Sequence, residues 1–221
     1  MTRAARSLPL NSRVVISGQV TARLGSPDKS AFYVQAGRYG IRVEIASSGA
    51  YPPLGLGDHV QVSGRLGTER GELKLRPGNP ADGARLGAGA ALAATPLRSG
   101  ALGEASEGAL VRISGQVVEL SSGAMVLDDG SGKVRVFVSS TAPFKRPAAR
   151  RGQRWVVTGI VSQYGSKAPF TDGYRLLPRS ARDFQQIVTT RPAAAARLPA
   201  RGLRITAVSY THLTLPTIYS L

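Results

Sequence analysis

One short phrase occurs twice in this chain. Residues 14–20 read VVISGQV and residues 111–117 read VRISGQV, 97 residues apart and different at one position. The likeness continues downstream. VQAGRYGIRV at 34–43 resembles LDDGSGKVRV at 127–136, GDHVQVSG at 57–64 resembles GQRWVVTG at 152–159, and LKLRP at 73–77 resembles RLLP at 175–178. Similarity at a fixed offset indicates a duplicated unit. The period is too long for a solenoid, so each copy is expected to close its own small core.

Each copy reads as strands. Ile41, Val43 and Ile45 alternate with Arg42 and Glu44, and Val134, Val136 and Val138 alternate with Arg135, Phe137 and Ser139. Such period-two alternation marks half-buried strands. Turn signals at 25–28, 37–40, 52–53 and 129–132 separate them. The pattern predicts five strands per copy, near 13–23, 31–36, 40–46, 58–67 and 71–76, then 109–119, 123–128, 133–139, 153–164 and 173–178. No segment has a convincing amphipathic helix. The Ala-rich stretches at 84–94 and 193–196 sit among Gly and Pro and read as linkers. The expected fold is all-β, with two tandem five-stranded barrels at 13–77 and 109–184. A short extension (1–12) precedes them, a Gly/Ala/Pro-rich linker (78–108) joins them and an Ala/Pro/Arg-rich tail (185–207) follows. Gly18 and Gly115, near the centre of each first strand, are expected to let it bend around the barrel. Trp155 aligns with Val60 and is expected in the core.

The long first strand, its central Gly, the close second-to-third hairpin and the G-(D/Q)-x-(V/W)-x-V-x-G phrase together resemble the OB-fold. The chain is similar to tandem OB modules of large multidomain bacterial envelope or secreted proteins, some beside lamin-tail-type domains. Copy two departs from the pattern where Gln153 replaces the Asp of position 58. Both copies lack an evident helix between strands three and four. An immunoglobulin-type sandwich is the competing architecture, but it needs about seven strands per domain.

Composition narrows the chemistry. With no Cys and two His in 221 residues, disulfides, Cys-based zinc sites and His-rich metal sites are excluded. No apolar run is long enough for a membrane-spanning helix, and MTRAARSLPLN lacks the hydrophobic core of a signal peptide. The phrase VSYTHLTLPT at 208–217 differs in character from the Arg/Ala/Gly-rich chain before it and resembles a translated sequencing adapter. Residues 208–221 are therefore read as adapter-derived, and the natural protein is expected to be longer.

The net charge is +16. The first copy carries nine Lys/Arg against five Asp/Glu, and the second twelve against five. Arg outnumbers Lys 24 to 5. With abundant Ala and Gly this points to a GC-rich genome, so the excess argues less for a polyanionic partner than its size suggests. Lys145, Arg146, Arg150, Arg151 and Arg154 stand apart: five cations within ten residues, with no acid among them. A basic loop beside a barrel can follow a phosphate backbone.

The OB resemblance implies that a single strand would lie on the outer face of strands two and three, with bases on aromatic rings. By alternation Tyr33 and Arg42 face outward in the first copy, and Val126, Asp128, Arg135 and Phe137 in the second. Tyr33 and Phe137 are the candidate stacking groups, and Arg42 and Arg135 the candidate cations. Glu44, Asp128 and Asp129 would repel phosphate. Tyr39, Phe144, Tyr164 and Phe170 fall in turns or strand ends, where they could line a groove or simply pack.

No catalytic signature appears. Gly130-Ser131-Gly132-Lys133 lacks the leading Gly and the following Ser/Thr of a phosphate loop, and no helix follows it. Neither an enzymatic activity nor a cofactor is expected. Two function classes remain. One is a module for single-stranded DNA or RNA with low sequence preference, which would be cytoplasmic. The other is a spacer or docking module, binding glycan or protein beside the other domains of a longer envelope or extracellular protein.

Overall fold

A computed structural model describes residues 7–45, 51 and 53–188. The last residues of the expected tail and the adapter-like stretch 208–217 lie outside the described residues.

The first barrel is built from β1 (Arg13–Ala22), β2 (Ala31–Ala36), β3 (Tyr39–Glu44), β4 (His59–Glu69) and β5 (Glu72–Arg76). They run in the order β1-β2-β3-β5-β4, and a β1–β4 pairing closes the ring. All contacts are antiparallel except β3–β5. Alternate residues fill the inside: Ile16, Val20, Phe32, Val34, Ile41, Val43, with partners from β4 and β5. Beyond the barrel come β6 (Gly83–Gly87), which pairs with β4, and β7 (Thr95–Leu97).

The second barrel repeats the first. β8 (Leu110–Ser121), β9 (Ala124–Asp128), β10 (Lys133–Phe137), β11 (Arg154–Gln163) and β12 (Tyr174–Leu177) follow the order β8-β9-β10-β12-β11, with β11–β8 closing the ring. β13 (Phe184–Ile187) then pairs with β11 as β6 does with β4. This is the five-stranded Greek-key barrel expected of an OB-fold. Among the described residues there is no α-helix, only four 3-10 turns. In the second barrel, residues 138–153 join β10 to β11 without a helix.

The repeat reaches further than the sequence phrases suggest. Each barrel ends in a cap followed by its extra strand. Asp82 accepts the backbone N–H groups of Gly78 and Asn79, and Asp183 those of Arg179 and Ser180. The segment expected as a linker thus holds β6 on the first barrel and β7 beside β8 of the second. Ser99 pins its end by donating to Asp129 (2.8 Å). Gln153, which departs from the family pattern, does the work of Asp58. Its Oε1 accepts the Arg150 N–H at 2.9 Å, as the Asp58 carboxylate accepts that of Gly55 at 2.7 Å.

Gly18 and Gly115 have a different role from the one expected. The register shifts that bend the long strands fall later, between Val20 and Ala22 and between Val117 and Glu119. At Gly18 the neighbouring strand crosses so closely that a Cβ would stand 2.6 Å from the Gln35 carbonyl oxygen.

The barrels meet face to face. Tyr33, Ala22, Leu110 and Ile160 form a buried cluster between them. The β4–β5 turn of the first barrel docks on the second, where Gly165 N–H donates to the Arg70 carbonyl (2.7 Å). The backbones touch at Gly40 and Gly108. A Cβ on Gly40 would run into the Gly108 carbonyl, and Gly108 itself has φ +74°. Gly40→Ala should therefore cost about 1–3 kcal/mol or more through overpacking. Gly103→Ala, with open space around it, should be nearly neutral. Urea unfolding of the pair checks this, and equal midpoints would refute the contact.

Candidate nucleic-acid interface

On the second barrel, alternation holds as expected. Met125, Leu127, Val134 and Val136 are buried. Arg135 is exposed, and Phe137, Val126 and Asp128 are half-buried on the outer face. On the first barrel Tyr33 and Arg42 do point away from the barrel core, but neither is open to a ligand. Tyr33 is 1% exposed because the second barrel covers it, and its hydroxyl donates to Glu72 at 3.0 Å. Arg42 is 7% exposed and bound to Asp28 (2.7 Å), Glu44 (3.1 Å) and Glu69 (3.2 Å). Lys74 joins Glu44 and Glu69. Glu44, which the sequence marked as repelling phosphate, is thus neutralised internally. Burial alone would raise the Glu44 carboxyl, but Lys74, Arg76 and Arg42 hold it at about 2.

What the sequence did not reveal is a ladder of alternating guanidinium groups and rings. Arg70 lies over Tyr164 (4.5 Å to the centroid), and Arg175 over both Tyr164 (4.7 Å) and Phe137 (4.9 Å). Arg135 reaches Phe137 from its other neighbour position on β10 (5.7 Å). Four different segments contribute: the β4–β5 turn, β10, the end of β11 and β12. Cation–π contacts hold the groups in register. Burial pulls the Arg175 guanidinium below its ordinary value, against the opposing charge of Glu72, and its Nε has no hydrogen-bond partner among the described residues. Tyr164 is half exposed. A hollow of about 160 Å³ opens beside Phe137, lined by Asp28, Ser139, Thr141 and Arg175. The sequence pointed to Phe137, Arg135 and Tyr164 separately; it gave no sign that Arg70 and Arg175 join them.

The basic loop lies in the connection between β10 and β11. Lys145, Arg150, Arg151 and Arg154 are exposed, and none forms an ion pair among the described residues. Arg146 differs: it is half-buried, and its Nη1 donates to the Pro147 carbonyl (2.9 Å). Arg151 lies within electrostatic reach of Glu119 and of Lys133 at the start of β10. Asp128 and Asp129 are turn residues, accepting the N–H groups of Gly130 and Ser131. Among the described residues no cluster of His, Asp and Glu could hold a metal ion, and no helix is long and apolar enough to cross a membrane.

No protein-family model matches the chain. No curated protein matches it in sequence. Among solved structures it is similar to the telomere capping protein Ten1 from Saccharomyces pombe, at 19% identity and TM-score 0.33, over 45% of this chain and 86% of that one. It is also similar to a murine DNA-binding protein bound with double-stranded DNA, at 12% identity and TM-score 0.37, over 82% of this chain and 98% of that one. The single-stranded DNA-binding protein of Thermus aquaticus is a third, at 14% identity and TM-score 0.24, over 85% and 97%. At these TM-scores function has to be argued from the side chains.

Proposed function

We propose that the chain is a non-catalytic module that holds single-stranded DNA or RNA with little sequence preference, on the outer face of its second barrel. The ladder Arg70–Tyr164–Arg175–Phe137–Arg135 carries this reading. Rings and guanidinium planes offer stacking surfaces that any base can use, and only an unpaired strand presents its base faces. Phosphates would follow Lys145, Arg150, Arg151 and Arg154, none of which forms an ion pair among the described residues. Arg146 would contribute charge rather than a direct contact. Tyr33 and Arg42 have no part in binding.

Charge and stacking leave different signatures. Replacing Arg150 and Arg151 with Ala should weaken binding to every sequence and reduce the log–log salt slope by roughly one to two, since each phosphate contact contributes slightly under one. Phe137→Ala should lose about 1–3 kcal/mol with little change in slope. Fluorescence anisotropy with a labelled oligonucleotide at several salt concentrations separates the two. Absence of saturable binding at low salt would overturn the proposal and favour the spacer or docking reading. So would affinity equal to that for heparin and untouched by Phe137→Ala.

A further inference from the structure

A second feature lies apart from the ladder, where the barrels join. A cleft of about 620 Å³ opens between the β1–β2 connection, the β10–β11 connection and the turn that follows β12. Its size falls within the range of small-molecule sites. Leu56, Pro143, Phe144 and Ala181 supply apolar surface, and Arg23 and Arg182 line it as well. Phe144 packs one side on the second barrel's core and turns the other to the cleft.

The cations of this cleft divide into two kinds. Arg179 is committed to the fold. It binds Asp183 through Nη2 (2.8 Å) and Nε (3.1 Å), and its Nη1 donates to the Thr21 carbonyl of the first barrel (2.9 Å). That pair also satisfies the Asp183 carboxylate. Arg23 and Arg182 are exposed, and neither has a side-chain hydrogen bond or ion pair among the described residues. An aromatic wall with two guanidinium groups that make no hydrogen bond or ion pair among the described residues suits a flat ring that carries a phosphate. Arg is the side chain best matched to phosphate geometry, and a base can stack on Phe144.

We propose that this cleft binds a nucleoside 5′-monophosphate, with the base on Phe144 and the phosphate held by Arg23 and Arg182. The site does not depend on strand binding at the ladder. Isothermal titration of the full chain with deoxyadenosine 5′-monophosphate, deoxyadenosine and inorganic phosphate tests it. The monophosphate should bind one to one, at least about tenfold more tightly than either fragment, because a good charged contact is worth on the order of a factor of ten. R23A/R182A should lose at least about tenfold for the monophosphate. Both residues are exposed, so the fold should survive, which circular dichroism verifies. F144L should weaken the monophosphate but leave inorganic phosphate unchanged. F137A, which weakens oligonucleotide binding on the ladder reading, should leave the monophosphate unaffected, so either proposal can fail alone. Three results would each overturn the cleft site: no saturable heat at millimolar monophosphate, inorganic phosphate binding as tightly as the monophosphate, or an unaltered R23A/R182A variant.

Discussion

Truncating Trp155 to Ala is expected to cost about 3–5 kcal/mol, the range for removing a large aromatic from a core. Trp155 lies on β11 opposite Gly115 on one side and Gln186 on the other. It is 5% exposed and packs with Ile113, Val117, Leu127 and Val157 inside the second barrel. In the first barrel the equivalent pair is Gly18 with Val60, so a smaller side chain stands at the matching core position there. The indole Nε1 is buried without a hydrogen-bond partner among the described residues. Trp155→Phe loses that unsatisfied donor, whose burial opposes folding, and should cost less than the Ala change. Urea unfolding of the three proteins measures the series. A water-exposed fluorescence maximum for Trp155, or an Ala variant with an unmoved midpoint, would contradict this packing.

The contrast between Trp155 and Tyr33 shows where sequence reasoning stops. Alternation within a strand reports which side of its own barrel a residue faces: it placed Tyr33 on the outside, as alignment with Val60 placed Trp155 in the core, and both positions agree with the structure. It carries no information about what covers the outer side. Tyr33 and Arg42 lie outside the first barrel's core, yet the second barrel seals Tyr33 and a ring of carboxylates closes over Arg42. Nothing local marks that burial. Arg42 reads as a surface cation until Asp28 and Glu69, distant in sequence, are brought beside it. The ladder was only partly legible for the same reason: alternation marked Arg135 and Phe137, but Arg70, Tyr164 and Arg175 join them from other segments and from both barrels. The extra strands were a different omission. Asn79 and Asp82 stand at the same offset from Ser180 and Asp183 as Pro77 from Pro178, a cap signal that extends the repeat through β6 and β13. The basic loop, by contrast, was readable because its charges are contiguous and lack acids to pair with.

Stability should also depend on pH through one carboxyl at the junction of the barrels. Glu72 begins β5 and is 7% exposed. Burial pushes it from the usual 4.5 up to about 7, against the charge of Arg42 and the hydroxyl of Tyr33. Arg175, from β12 of the other barrel, adds a smaller pull in the same direction as Arg42. Because the folded-state value is raised, the folded protein binds more protons than the unfolded chain between pH 4.5 and 7. Stability must then fall as pH rises through that window. At 1.36 kcal/mol per pH unit, the loss is roughly 3 kcal/mol. Glu44 acts oppositely and lower down. Held at about 2, it stabilises the fold above 4.5, and that contribution disappears as pH falls toward 2. The two windows meet, so maximal stability is expected near pH 4.5–5, below neutrality. Glu72→Gln keeps an acceptor for the Tyr33 hydroxyl and removes the titration, so its stability should be nearly level from pH 5 to 8. Urea unfolding of both proteins across that range decides the matter. A level wild-type profile, or an unchanged slope in Glu72→Gln, would show that this carboxyl does not control the junction.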